Sequence, residues 1–193
     1  MKKISFIASF PVLLFLAACS KSKPDTTTAE DLYRDVPASE VPQQLAGGIW
    51  FSGTLSAISY FYRDGHNLGN DYEAGREYQF SNINGKGRLK FWQYLGTMTS
   101  SSCVNEYFTY KEGSVVFEDV TFTFYPVKGN FKTIKKDCSA GNGTTLRAAV
   151  AGDLKPVVFR WEIRNIEGEP HLYTFEEEDV DHENPVFVYS YTN

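Results

Sequence analysis

The chain has 193 residues, a formal net charge of −5, 16% aromatic residues and three cysteines. An acidic balance, with no basic patch interleaved with aromatics, argues against nucleic acid as a partner. Beyond the first twenty residues no stretch is long and apolar enough for a transmembrane helix.

The chain opens with Lys2 and Lys3, followed by the almost continuously apolar run Ile4–Leu16 and by the small residues Ala17 and Ala18. Positive, apolar, then small is the anatomy of a secretory signal peptide, and the apolar run falls short of the roughly 20 residues that span a bilayer. The tetrapeptide Leu16-Ala17-Ala18-Cys19 resembles a bacterial lipobox, which implies that residues 1–18 are removed and that Cys19 becomes the lipidated first residue. Acyl chains such as palmitate, each buried CH₂ contributing about 0.8 kcal/mol, would anchor the chain to a membrane without its spanning it. Ser20, where an Asp would retain such a protein, resembles the pattern sent to the outer membrane; the periplasmic and cell-surface faces both stay open.

Residues 19–44 are rich in Ser, Thr, Lys, Pro, Asp and Glu, a composition too polar to bury a core, and read as a flexible linker from the lipid anchor. The folded part is expected over 45–193, about 150 residues and one domain. Its clearest strand is Val157–Arg164, where Val157, Phe159, Trp161 and Ile163 share one face and Arg160, Glu162 and Arg164 the other. Val120, Phe122 and Phe124 alternate with Thr121, Thr123 and Tyr125, and Leu89, Phe91 and Leu95 alternate with Arg88, Lys90, Trp92 and Tyr94. Further strand candidates are Ile49–Tyr62, Arg76–Ile83, Cys103–Lys111, Asn130–Cys138, His171–Glu176 and Val186–Tyr191. Asn84-Gly85 suits a type I′ hairpin turn, and Glu112-Gly113, Lys128-Gly129 and Glu167-Gly168 are read the same way. Connections this short join only antiparallel neighbours. The expected fold is all-β: an antiparallel up-and-down meander closed into a barrel of about eight strands, with a two-sheet β-sandwich as the alternative. "LRAAVAG", within the irregular stretch 139–155, is read as a short helix over one barrel end.

Gly48-Ile49-Trp50-Phe51, after a polar irregular stretch, resembles the Gly-x-Trp motif that starts the first strand of lipocalins. The resemblance implies an up-and-down barrel of eight strands, with Trp50 closing its base. The overall plan is similar to that of lipocalin-like bacterial lipoproteins.

With Cys19 acylated, Cys103 and Cys138 are left in an oxidising compartment, which favours a disulfide between them. Cys103 opens one strand candidate and Cys138 ends another, with a three-strand stretch between them. In a closed antiparallel sheet that puts the two far apart along the barrel axis, unless Cys138 belongs to a loop that folds back.

No nucleophile elbow, zinc-protease helix or phosphate loop is present, so no catalytic residue, cofactor or metal is assigned and no enzyme is expected. His66, His171 and His182 are scattered and read as surface histidines. Residues 176–184 carry six carboxylates and Asn184, but lack the EF-hand spacing and its Gly; they read as a solvated loop. The aromatic content is the main functional clue. Trp50, Phe91, Phe122, Phe124 and Trp161 are the candidate ligand-binding residues, facing inward together with small or polar Gly53, Ala57 and Thr109. A small eight-stranded barrel is either filled by side chains or holds one small ligand. The first expectation is a membrane-anchored envelope lipoprotein whose barrel binds a small apolar or amphipathic ligand. The alternative is a filled barrel without catalysis that contacts another envelope component or a glycan. Oligomeric state is not legible.

Overall fold

The computed structural model describes residues 30–54, 56–57, 72–99 and 102–192. The signal peptide, Cys19, His66 and most of the candidate strand Ile49–Tyr62 past Gly53 lie outside them.

Among the described residues nine strands follow in chain order: β1 Ile49–Gly53, β2 Tyr72–Ile83, β3 Lys86–Thr99, β4 Cys103–Glu118, β5 Thr121–Lys136, β6 Gly143–Ala148, β7 Val157–Ile166, β8 Glu169–Phe175 and β9 Phe187–Thr192. All pair antiparallel in one sheet, in the order β4-β3-β2-β1-β9-β8-β7-β5-β6, and β4 also pairs with β5. That last pairing closes eight strands into a hydrogen-bonded ring, so the sandwich alternative falls away. β6 stays outside the ring, bonded to the far half of β5.

Two of the four expected turns are turns. Asn84-Gly85, at φ 54° and 71°, joins β2 to β3, and Glu167-Gly168, at φ 53° and 91°, joins β7 to β8. Both φ values being positive suits a type I′ turn, whose twist matches the flanking strands. Glu112-Gly113 and Lys128-Gly129 instead lie inside β4 and β5, which run unbroken as one long hairpin turned at Asp119. The glycines are needed there for close approach. A Cβ on Gly129 would lie 2.5 Å from the carbonyl of Tyr110, and one on Gly113 would collide with the Tyr125 carbonyl and Pro126.

The register also slips at that point. Glu112 faces Lys128 and Gly113 faces Pro126, which leaves Val127 without a partner in β4. This is a β-bulge, where a strand bends and a proline is tolerated. β5 changes neighbours across it: Thr121–Phe124 pair with β7, and Asn130–Lys135 pair with β6. The expected helix over "LRAAVAG" is replaced by β6, followed by one 3₁₀ turn at Ala151–Asp153.

One end of the ring is closed. Trp50 is fully buried, and its indole N–H donates to the Leu45 carbonyl at 3.0 Å. Its ring packs 5.0 Å from that of Tyr191, which also lies over Gly48 so closely that any side chain there would collide with it. Gly48 and Trp50 are thus two halves of one contact. Val41 and Leu45 complete the plug. The packed chain therefore begins ahead of Leu45: Ser39 accepts from Gly87 N–H at 2.7 Å and donates its own N–H to the Val115 carbonyl, and the Asn82 side chain brackets the Val41 backbone. Val41 supplies an apolar anchor that the polar composition around it obscures.

Among the described residues most buried hydrophobic side chains fall into two clusters. Inside the ring lie Trp50, Tyr78, Phe80, Leu89, Phe91, Val115, Phe122, Phe124, Phe159, Trp161, Leu172 and Tyr189, together with the plug. Along β3, Leu89 and Phe91 point inward while Trp92 and Tyr94 take the opposite face, as period-two alternation requires. That opposite face is buried too: Ala57, Trp92, Tyr94, Phe108 and Ile134 form the second cluster. Ala57, expected to face inward, belongs here. Beside these residues Glu73, Glu77, Glu106 and Lys132 are also buried.

Candidate functional site

The five aromatics singled out from the sequence all stand inside the ring. Trp50 closes the base. Phe122 lies at the centre, within 5.7–6.2 Å ring to ring of Tyr78, Phe80, Phe117 and Phe159. Trp161 meets Phe117 edge-on at 5.6 Å. These contacts are aromatic on aromatic, in the tilted and edge-to-face geometries that ring quadrupoles favour.

Phe91 and Phe124 sit farther up and line a cavity of about 60 Å³, together with Arg76, Tyr78, Lys111, Pro126, Val157 and Phe159. It lies toward the other end of the ring: Arg76 is four residues along β2 from Phe80, about 13 Å away in an extended strand. The cavity reaches the surface beside Val157, which is 40% exposed.

Two cations border it. The Arg76 guanidinium carbon lies 3.8 Å from the centre of the Phe187 ring and 5.0 Å from that of Phe91. Lys111 donates to the Asp153 carbonyl at 2.6 Å; burial pushes its pKa down, opposed by the Asp153 charge. Tyr189, wholly buried nearby, has its phenol pushed well above the usual range by desolvation first, with the neighbouring Tyr78 adding to the rise and Arg76 opposing it. Sequence reasoning passed over Arg76 because a charge on the inward face breaks the alternation it relies on. The signal was there: Arg76 shares parity with Tyr78 and Phe80.

The remaining sequence candidates lie elsewhere. His171 is a surface residue whose Nδ1 is 3.0 Å from the Glu169 carbonyl. His182 stacks on Phe175 at 4.5 Å, with Nδ1 3.0 Å from Glu162. Burial pushes the Glu162 carboxyl up, but its bonds to His182 and Arg164 outweigh this and hold it below the usual value. In the acidic loop, Asp179 accepts from the backbone N–H of Glu183 and Asn184 at 3.2 and 2.8 Å, so its oxygens serve the loop itself. Among the described residues no group of three or more His, Cys, Asp and Glu is placed to hold a metal ion.

Cys103 and Cys138 are joined, with Cα atoms 4.4 Å apart. The geometric objection from the sequence dissolves because residues 103–138 form two strands instead of three. Cys103 starts β4 and Cys138 follows the end of its antiparallel neighbour β5, so the two ends coincide. No family model, curated protein or solved structure matches this chain.

Proposed function

We propose that this chain is a lipid-anchored envelope protein of the outer membrane. In this reading Cys19 tethers it, and its ring is a filled, non-catalytic scaffold that contacts another envelope component or a glycan. The observation that carries the reading is the filled interior. Among the described residues the inward aromatics pack against one another, and the cavity beside them measures about 60 Å³. Pockets for small organic ligands measure roughly 300–1,000 Å³. A second feature favours contact on the outside: the outer edge of β6 has no strand partner among the described residues, and Leu146 and Val150 beside it are 67% and 64% exposed.

The neutral apolar fluorophore N-phenyl-1-naphthylamine separates this reading from capture of an apolar ligand. The acylated full chain in non-ionic detergent is expected to show no saturable binding beyond detergent alone, whereas a photocrosslinker at Leu146 in intact cells yields a discrete adduct. Saturable fluorophore binding that is lost in Phe91→Ala would return the function to ligand capture. The anchor is tested apart from this: Cys19→Ala leaves the membrane pellet, and an unchanged fractionation would refute the lipoprotein reading.

A further inference from the structure

The upper end of the ring holds a cation in an unusual setting. Arg76 lies between the faces of Phe187 and Phe91, and among the described residues no carboxylate pairs with it. Its Nε is buried and has no hydrogen-bond partner among the described residues. Contact with ring faces stabilises a guanidinium but gives the buried Nε–H no acceptor. A buried donor without an acceptor is costly, and charged donors more so.

The surroundings define what would complete it. Apart from Arg76 and Lys111 the cavity is lined by Tyr78, Phe91, Phe124, Pro126, Val157 and Phe159, with no carboxylate among them. Lys111 has one N–H on the Asp153 carbonyl, and an ammonium carries three. A planar anion with two oxygens matches the guanidinium edge in a bidentate pair. Apolar walls favour a singly charged, weakly hydrated anion carrying a short hydrocarbon part over a strongly hydrated dianion. A volume of about 60 Å³ takes a headgroup or a molecule of a few heavy atoms and leaves no room for a long chain inside the ring.

We propose that the upper mouth of the ring is a monocarboxylate site, with Arg76 binding the carboxylate through its edge and Lys111 adding a second positive charge. The source is either a free short-chain acid or the acid end of a larger molecule that projects past Val157. This goes beyond the contact function proposed above and does not depend on it.

The acylated full chain, ¹⁵N-labelled in non-ionic detergent, is titrated at constant ionic strength with sodium acetate, butyrate, benzoate and inorganic phosphate. The Arg76 side-chain Nε–H resonance is followed. A saturable downfield shift is expected with the carboxylates, butyrate binding several-fold more tightly than acetate and phosphate more weakly than both. Arg76→Gln, which lacks that resonance and is followed through its backbone amide shifts, abolishes binding, and Lys111→Gln weakens it several-fold with the amide spectrum of the free protein otherwise unchanged. Benzoate binding as tightly as butyrate identifies the projecting form; acetate and butyrate without benzoate identify a short acid. No saturable shift in the native chain, equal or tighter binding of phosphate, or unchanged binding in a folded Arg76→Gln would each overturn the site.

Discussion

The β4–β5 hairpin belongs to two different environments, and the bulge at Glu112/Gly113 divides them. On one side Val115, Phe117, Phe122 and Phe124 turn into the ring, where the neighbours are almost all aromatic or aliphatic. On the other side Phe108 and Ile134 turn to the opposite face, among Tyr94, Trp92 and four buried charged residues. The ring half is held by burial from every direction, since a closed sheet has no edge. The far half has β3 on one side and β6, all of it exposed, on the other. A covalent bond sits at the end of that far half. Where burial is complete the chain carries no cross-link; where the sheet runs out past the ring, Cys103–Cys138 ties its last residues together.

Phe122→Ala tests the ring half directly. The side chain is 1% exposed and ringed by four aromatics that cannot all collapse into the space it leaves. The expected loss is about 3–5 kcal/mol, read from urea unfolding with an unchanged slope. A loss under about 1 kcal/mol would mean that the interior is loosely packed and that the two halves of the hairpin do not differ in this way. The far half is tested by Cys103→Ser with Cys138→Ser. Chain entropy for a 35-residue separation gives a loss of about 3–4 kcal/mol. The distribution is the sharper readout: hydrogen exchange should rise most at Val104–Glu106 and Ile134–Lys136 and least at Phe122–Phe124. Uniform deprotection along the hairpin would erase the distinction between its halves.

Much of the ring half was legible in the sequence. Strict alternation in Val157–Arg164 and around Phe122 marks strands with one buried face, and Asn-Gly at 84–85 marks a true turn. The far half was not, for two reasons. Glycine there serves close backbone approach at a bulge, and a bulge glycine looks like a turn glycine until the register is known. Trp92 and Tyr94 alternate with Leu89 and Phe91, so period two puts them on the opposite face and says nothing of its burial. Both faces of β3 are in fact buried, and large side chains of both parities were the available sign of it. Among the site residues, the aromatics were found by parity. Arg76 was missed because inward charge is placed by cation–ring contacts across strands, which leave no periodic trace.

The junction itself carries the smallest effect and the most specific one. Glu112 stands at the bulge and accepts from Tyr33 at 3.2 Å, pairs with Lys128 at 2.7 Å, and is hydrogen-bonded by Tyr110. Burial pushes its carboxyl up, but the bonds from Lys128, Tyr110 and Tyr33 outweigh that and hold it below its ordinary value of 4.5. A carboxyl lowered by folding stabilises above its unfolded pKa, and that stability is lost as pH falls through the folded value. Glu112→Gln should therefore flatten the stability profile below about pH 4.5, with a loss near neutrality of under about 1 kcal/mol, as for a partly exposed ion pair. Tyr33 reports the same contact from the alkaline side. Burial, with the Glu112 charge second, raises its phenol to about 12. A raised pKa means that stability is intact below the ordinary value of 10.0 and declines as pH climbs toward about 12. In Glu112→Gln the phenol falls part of the way back, and no further, because desolvation is the larger cause and survives the change. Ultraviolet difference titration at 295 nm against Tyr33→Phe isolates that one phenol. An unshifted Tyr33 in Glu112→Gln would show that the N-terminal segment does not rest on the bulge, and would remove the junction's link to the chain that plugs the ring.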